Sequence, residues 1–245
     1  MSLVLSNTTT RKGIIQLLED LTSTQSASTT SYPKLSKTRD INNALAKYAQ
    51  LAISSQGRWQ FDDTNHVDFP IISTNLVSGQ QDYTFTTDEL GNQILDIERV
   101  EVFDAAGIAH LLKPMDSHDL ADTAMTEYMK NGGIPFKYDK TANGIFLYPA
   151  SNYNYTAGLK IYTSRTPSYF IGDGTDDTTK PGIPDVFHEY LALRPAYYYC
   201  LQKGMAIANN YFQELQDMES RIKEYHRDRS KDEQMIMRTV YSSAE

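Results

Sequence analysis

The sequence predicts an α+β protein: a helical bundle built from the N- and C-terminal segments, a β-rich insert of sandwich or barrel-like form, and a long C-terminal helix followed by an extended tail. Three observations predict it. Apolar residues recur every three to four positions near both ends of the chain, the period of one helix face. Between those ends, short runs alternate apolar and polar residues at the period of two that a half-buried strand requires. The two helical regions each carry an apolar face that must be covered. The simplest cover is the other region, which leaves the β segment as a second lobe. The expected division is residues 11–57 with 182–233 as the helical core, 58–181 as the insert, and 234–245 as a C-terminal extension.

Within the first region, Ile14, Ile15, Leu17, Leu18 and Leu21 form the stripe of a short helix. A Ser/Thr-rich linker follows, ending at Tyr32-Pro33. A second helix places Ile41, Leu45, Tyr48, Leu51 and Ala52 on one side, with Thr38 as its expected N-cap and Gly57 as its stop. In the insert, Val67 and Phe69 alternate with polar residues before Pro70 interrupts, as at an edge or a strand end. Tyr83 and Phe85 alternate in the next run. In ILDIERVEVF, Leu95 and Ile97 share one parity and Val100 and Val102 the other, so a bulge is predicted near Glu98–Arg99. Asp104-Ala105-Ala106-Gly107 reads as a turn into a run over 108–113. Ser117 is expected to cap a short helix carrying Leu120, Ala124 and Tyr128, stopped by Asn131-Gly132-Gly133. A hairpin turn ending in Asn143-Gly144 follows, then a strand with Leu159, Ile161 and Thr163 on one face, then a polar loop over 172–181.

The third region opens on Pro184, which a first helical turn accommodates. Val186, Tyr190, Leu193, Tyr197 and Cys200 or Leu201 repeat at helical spacing, with Pro195 inside the pattern and expected to kink or break it. Gly204 is the expected end. A longer helix starts near Ala206 with the stripe Ile207, Tyr211, Leu215, Met218, Ile222 and Tyr225. Extended to Glu233 it would span about 40 Å at 1.5 Å per residue.

Composition excludes several classes. The 245 residues hold 40% hydrophobic and 11% aromatic side chains, with 17 tyrosines, which argues against a disordered chain. No apolar run approaches the roughly 20 residues of a membrane span, and the N-terminus lacks the basic start and apolar core of a secretory signal. One cysteine, Cys200, rules out an intramolecular disulfide or a multi-cysteine zinc site. The net charge is −8 and no basic stripe stands out, so a specific nucleic-acid grip is not expected.

A catalytic constellation is hard to find. Of the five histidines, His118-Asp119 and His188-Glu189 adjoin acids, but Ala192 stands where a His-Glu-x-x-His motif needs its second histidine. Asp62, Asp63, His66 and Asp68, and separately Asp173, Asp176 and Asp177, are dense in oxygen ligands, yet neither has EF-hand spacing, and acidic residues beside Gly and Thr ordinarily make solvated loops. No nucleophile elbow, Walker A or Gly-x-Gly-x-x-Gly occurs. A hydrolase using paired carboxylates near Asp62 or at Glu189 is the least favoured reading. The run over 221–233 holds five basic and four acidic side chains and reads as a solvated helix face. No catalytic residue, cofactor or metal site is assigned.

The stretch IPDVFHEYLALRPAYYYCLQKGMAIANNYFQELQDMESRIKEYHRDR resembles the C-terminal half of tailed-phage head-to-tail adaptor proteins, also called connector or head-completion proteins. ISTNLVSGQQDYTF with ILDIERVEVFD, and PFKYDKTANGIFLYPA with LKIYTSRTPSYF, resemble the β portion of larger adaptor-like virion proteins. The resemblance covers most of residues 35–233. It implies a structural protein of the virion, a dodecameric ring of neighbouring copies beneath the portal protein at one capsid vertex, extending the DNA channel and offering a platform to a tail or nozzle protein. DNA would pass the lumen without specific binding, and no membrane is involved. Within it, Tyr197, Tyr198, Tyr211, Met218 and Tyr225 are candidates for packing between subunits, and Met235, Ile236, Met237, Val240 and Tyr241 for contact with the portal. The alternative is a tail hub or tail-completion subunit. Free in solution, the chain is expected to be a monomer or a weak oligomer.

Overall fold

The computed structural model describes residues 2–24, 32–56, 71–87, 91, 93–115 and 132–229. The protein is mixed α+β, with four α-helices and two four-stranded sheets among the described residues. It divides into two compact units. One comprises Met1–Leu5 and Gln60–Asp185, the other Ser6–Trp59 and Val186–Glu245.

The helical unit contains α1 (Ile14–Thr22), α2 (Lys34–Gln56), α3 (Tyr190–Gln202) and α4 (Ala208–Arg229). Helix α3 packs on each of the other three, and α2 packs on α4. The expected stripe of α2 is buried throughout: Ile41, Leu45, Tyr48, Leu51 and Ala52. Thr38 does not cap that helix. Helix α2 begins four residues earlier, where Pro33 O accepts the N–H of Ser36 and Lys37 at 2.9 and 3.1 Å. Thr38 therefore sits inside the helix, its hydroxyl buried without a hydrogen-bond partner among the described residues. The expected stop at Gly57 lies outside the described residues.

Both short helices end in Schellman motifs. At α3, Met205 N–H bonds Cys200 O and Gly204 N–H bonds Leu201 O, with Gly204 at φ 66°. At α1, Thr24 N–H bonds Glu19 O and Ser23 N–H bonds Asp20 O, but the left-handed position is taken by Ser23 at φ 54°. Helix α3 runs unbroken through Pro195, which forgoes one backbone bond but keeps a helix-compatible φ. Pro184 precedes a single 3-10 turn, Asp185–Phe187, and not α3 itself. Helix α4 buries Ala208, Tyr211, Leu215, Ile222 and His226, whereas Ile207 and Tyr225 of the expected stripe are exposed. The buried face lies one residue away from the predicted one at both ends.

The β unit contains β1 (Ile71–Leu76), β2 (Asp82–Thr84), β3 (Ile94–Phe103), β4 (Ala109–Leu111), β5 (Lys113–Pro114), β6 (Lys137–Thr141), β7 (Gly144–Tyr148) and β8 (Tyr155–Arg165). The sheet orders are β1-β8-β3-β4 and β2-β7-β6-β5. Each sheet ends in two edge strands among the described residues, so neither closes and the barrel alternative is wrong. Strand β3 shifts register twice against β8, at Ile97/Arg99 as the parity change requires and again at Ile94/Asp96. The second shift turns Leu95 outward, against its expected parity with Ile97. The predicted single run over 108–113 is two strands. Leu112, whose N–H bonds Val100 O at 2.9 Å, is the buried hinge at which the chain leaves one sheet for the other.

The β6–β7 hairpin has a two-residue loop, Ala142-Asn143, and Gly144 is the first residue of β7. Glycine is needed there because a Cβ would lie 2.2 Å from Tyr83 O of the adjoining β2. Aliphatic residues from both sheets, including Val100, Val102, Ile145, Leu147, Leu159 and Ile161, form one buried cluster. In the loop over 172–181, Asp176 accepts the N–H of Ile171 and Gly172, and Asp173 accepts that of Thr175. These carboxylates are thus turn-formers. The Val67 and Phe69 run, the Asp62–Asp68 cluster and the predicted 117–128 helix lie outside the described residues.

Candidate functional site

The helical unit is laced by polar side chains that join segments far apart in sequence. Lys37 lies four residues before Ile41, hence on the buried face of α2, and is only 2% exposed. Its ammonium meets Glu19 of α1 at 2.7 Å. Tyr48 of α2 and His226 of α4 meet at 3.0 Å between Oη and Nε2, with the rings edge to face. Tyr211 donates to Leu21 O at 2.9 Å. Glu219 of α4 accepts from Arg194 at 2.9 Å and from Tyr190 at 3.0 Å, and Arg194 also donates to the Tyr198 hydroxyl at 3.1 Å. Burial, followed by Arg194's opposing pull and Glu219's reinforcing charge and hydrogen bond, leaves the Tyr190 phenol well above its ordinary value.

Between α2 and α3 lies an open groove of about 630 Å³. Tyr32 stacks on Tyr199 along it, centroids 4.8 Å apart and planes 17° from parallel. Tyr32 also donates to Asp40 at 2.9 Å, and burial, reinforced by that bond, pushes its phenol strongly upward. Arg39, Arg194 and Lys203 line the groove against one carboxylate, Asp40. Arg39 pairs with Asp40 at 3.1 Å, and Lys203 sits 5.8 Å from the Tyr199 centroid. Aromatic faces beside guanidinium and ammonium groups suit an acidic or aromatic partner surface.

The predicted subunit-packing residues part company. Tyr198 is 52% exposed and lines the groove, and Tyr197 is half-buried against Tyr198 and Phe212, with centroids 5.1 and 5.7 Å away. Tyr211 is buried inside its own unit, Met218 is half-buried, and Tyr225 is exposed at one edge with its ring against Phe187 and His226. The portal-contact candidates, Met235, Ile236, Met237, Val240 and Tyr241, lie outside the described residues. His188 is buried while Glu189 beside it is exposed. Cys200 is fully buried, which pushes its thiol up and away from reactivity.

Lys37, Glu219 and His226 are the members that sequence reasoning missed. Each had a spacing signal. Lys37 precedes Ile41 and Leu45 by four and eight residues, Glu219 follows Leu215 by four, and His226 follows Ile222 by four. His226 lies in the run over 221–233 that reads as a solvated helix face.

Among the described residues, no group of three or more His, Cys, Asp or Glu is arranged to hold a metal ion. No helix among them is long and apolar enough to cross a membrane. What the unit offers is a cross-linked helical body with an open groove between α2 and α3. No curated protein matches the chain. The family model described as SU10 adaptor protein matches residues 14–240, taking in both units. The chain belongs to the SU10 adaptor protein family, a structural family of phage head-to-tail adaptors.

Proposed function

We propose that this protein is a virion subunit whose copies form a ring between portal and tail, extending the DNA channel and carrying the platform on which the tail docks. The observation that carries the reading is the family match over residues 14–240. The cross-linked helical unit supports it, because a ring body must transmit contacts without deforming. Helix α4 adds a rigid rod of about 33 Å at 1.5 Å per residue. In this reading residues 11–57 and 182–233 form the ring's bundle, and the two sheets of the insert form a sandwich lobe for tail contact. The segment over 234–245 engages the portal through Met235, Ile236, Met237, Val240 and Tyr241. A net charge of −8 per copy lets DNA pass without adhering.

The test mixes the purified full chain with portal rings and images the product by electron microscopy. The expected product is a ring on one face of the portal. Deletion of 234–245 is expected to weaken docking while leaving both units folded. Binding to isolated tails with none to portal would overturn the adaptor position in favour of a tail hub or tail-completion subunit.

A further inference from the structure

We infer that the groove between α2 and α3 is the socket of a head-to-tail contact, and that its occupant is the Asp185–Glu189 turn of a second copy of this chain. The socket's chemistry is stated by Tyr32, Tyr198 and Tyr199 as apolar walls, and by Arg39, Arg194 and Lys203 as cations against a single lining carboxylate. Glu219 answers Arg194 and Asp40 answers Arg39, so Lys203, at an exposed position, sets the outward charge. On a chain of net −8 such a groove is opposite in sign to the molecule's overall charge.

The turn before α3 carries the matching chemistry. Val186 is 72% exposed, more than any other exposed large hydrophobic among the described residues, and the exposed carboxylates of Asp185 and Glu189 flank it. An aliphatic knob between two acids fits tyrosine walls rimmed by cations. The knob precedes the N-terminus of α3, and Lys203 on the socket rim follows its C-terminus. Glu189 and Lys203 are separated by 14 residues, roughly 21 Å at 1.5 Å per residue. They cannot meet within one copy. Two different surfaces that pair between copies make a heterologous contact, the type that closes into rings. The inference rests on the ring reading above and supplies it with a lateral interface.

The test uses two full-length variants, Val186→Cys and Gln202→Cys. Gln202 is an exposed residue of the groove rim, and the native Cys200 is buried. The variants are mixed and treated with a short bis-maleimide. A dimer that forms only in the mixture is the expected result. Adding Lys203→Glu to the Gln202→Cys chain should cut that product about fivefold, and adding Glu189→Lys to the other chain should restore it. A dimer from Gln202→Cys alone would mean a symmetric contact and overturn the inference. So would absence of the mixed product at millimolar chain concentration, or failure of the second charge reversal to restore it. Portal imaging reads a different contact, so a chain that ignores the portal but still cross-links leaves this inference standing.

Discussion

Charged and polar side chains tie the helices of one unit, whereas the strands of the other share an aliphatic cluster. In the helical unit, Lys37–Glu19, Tyr48–His226, Arg194–Glu219 and Tyr211 with Leu21 O join four helices drawn from both ends of the chain. Tyr48 and His226 are 178 residues apart in sequence. In the β unit, register is already set by ladder hydrogen bonds and by two bulges in β3, so the core can be mainly Val, Ile and Leu, with Tyr83 and Tyr138 among them. The difference teaches where specificity resides. Helices slide and rotate over apolar faces more freely than strands slip in a ladder, and paired polar groups in the helical unit choose which faces meet.

The largest effect expected from this contrast is at Glu19. Glu19→Ala leaves the Lys37 ammonium buried without its anion, and a loss of about 3–5 kcal/mol is expected in chemical denaturation. Replacing both partners, Lys37→Met with Glu19→Gln, should recover most of it. An equal loss in the double variant would mean that packing and not charge matters there. Next is Leu147→Ala in the aliphatic cluster, at about 3 kcal/mol. It should shift the transition read by strand signals and spare the one read by helical signals.

Extremes of pH sharpen the comparison further. In the β unit the hydrogen bond from His110, then those from Ile108 and Ala106, hold the Asp104 carboxyl below its ordinary 3.8. A lowered value means that its stabilisation is complete above 3.8 and is lost as pH falls through the folded-state value. Asp96 shifts the same way, since Lys140 and the Ile97 N–H outweigh a burial that alone would raise it. Asp104→Asn should therefore flatten the acid limb of β-unit stability. In the helical unit Tyr32 and Tyr190 are raised, so their stabilisation is present below pH 10 and is lost as pH rises through the higher folded-state values. Tyr190→Phe should flatten the alkaline limb. Buried tyrosines of the β unit, such as Tyr83 and Tyr138, are raised too. The smallest effect is Ser23→Gly, which relieves a left-handed position at the α1 terminus and should stabilise by about 0.5 kcal/mol.

Much of this architecture was legible in residue spacing. The Ile41–Ala52 stripe, the β3 bulge, the β6–β7 hairpin and the Gly204 stop are local consequences of side-chain periodicity and backbone sterics, which act over a few residues. The family, too, was legible as a pattern of helices and strands. Thr38 failed as a cap because Pro33 supplied an earlier start, a choice between two local signals. The candidate groove was legible only in part. Tyr198 stood out, but Arg39 and Tyr32 come from the other end of the chain.

What the sequence by itself determined is therefore the order and type of the elements and the apolar face that each must hide. Only the tertiary structure decided which strands share a sheet, that Leu112 carries the chain between sheets, that Gly144 must lack a Cβ because β2 passes against it, and that Lys37 and His226 are core residues. The reason is physical. Periodicity is a property of one segment, whereas burial of a charge or exclusion of a Cβ is a property of two segments in contact, and no single segment records its partner.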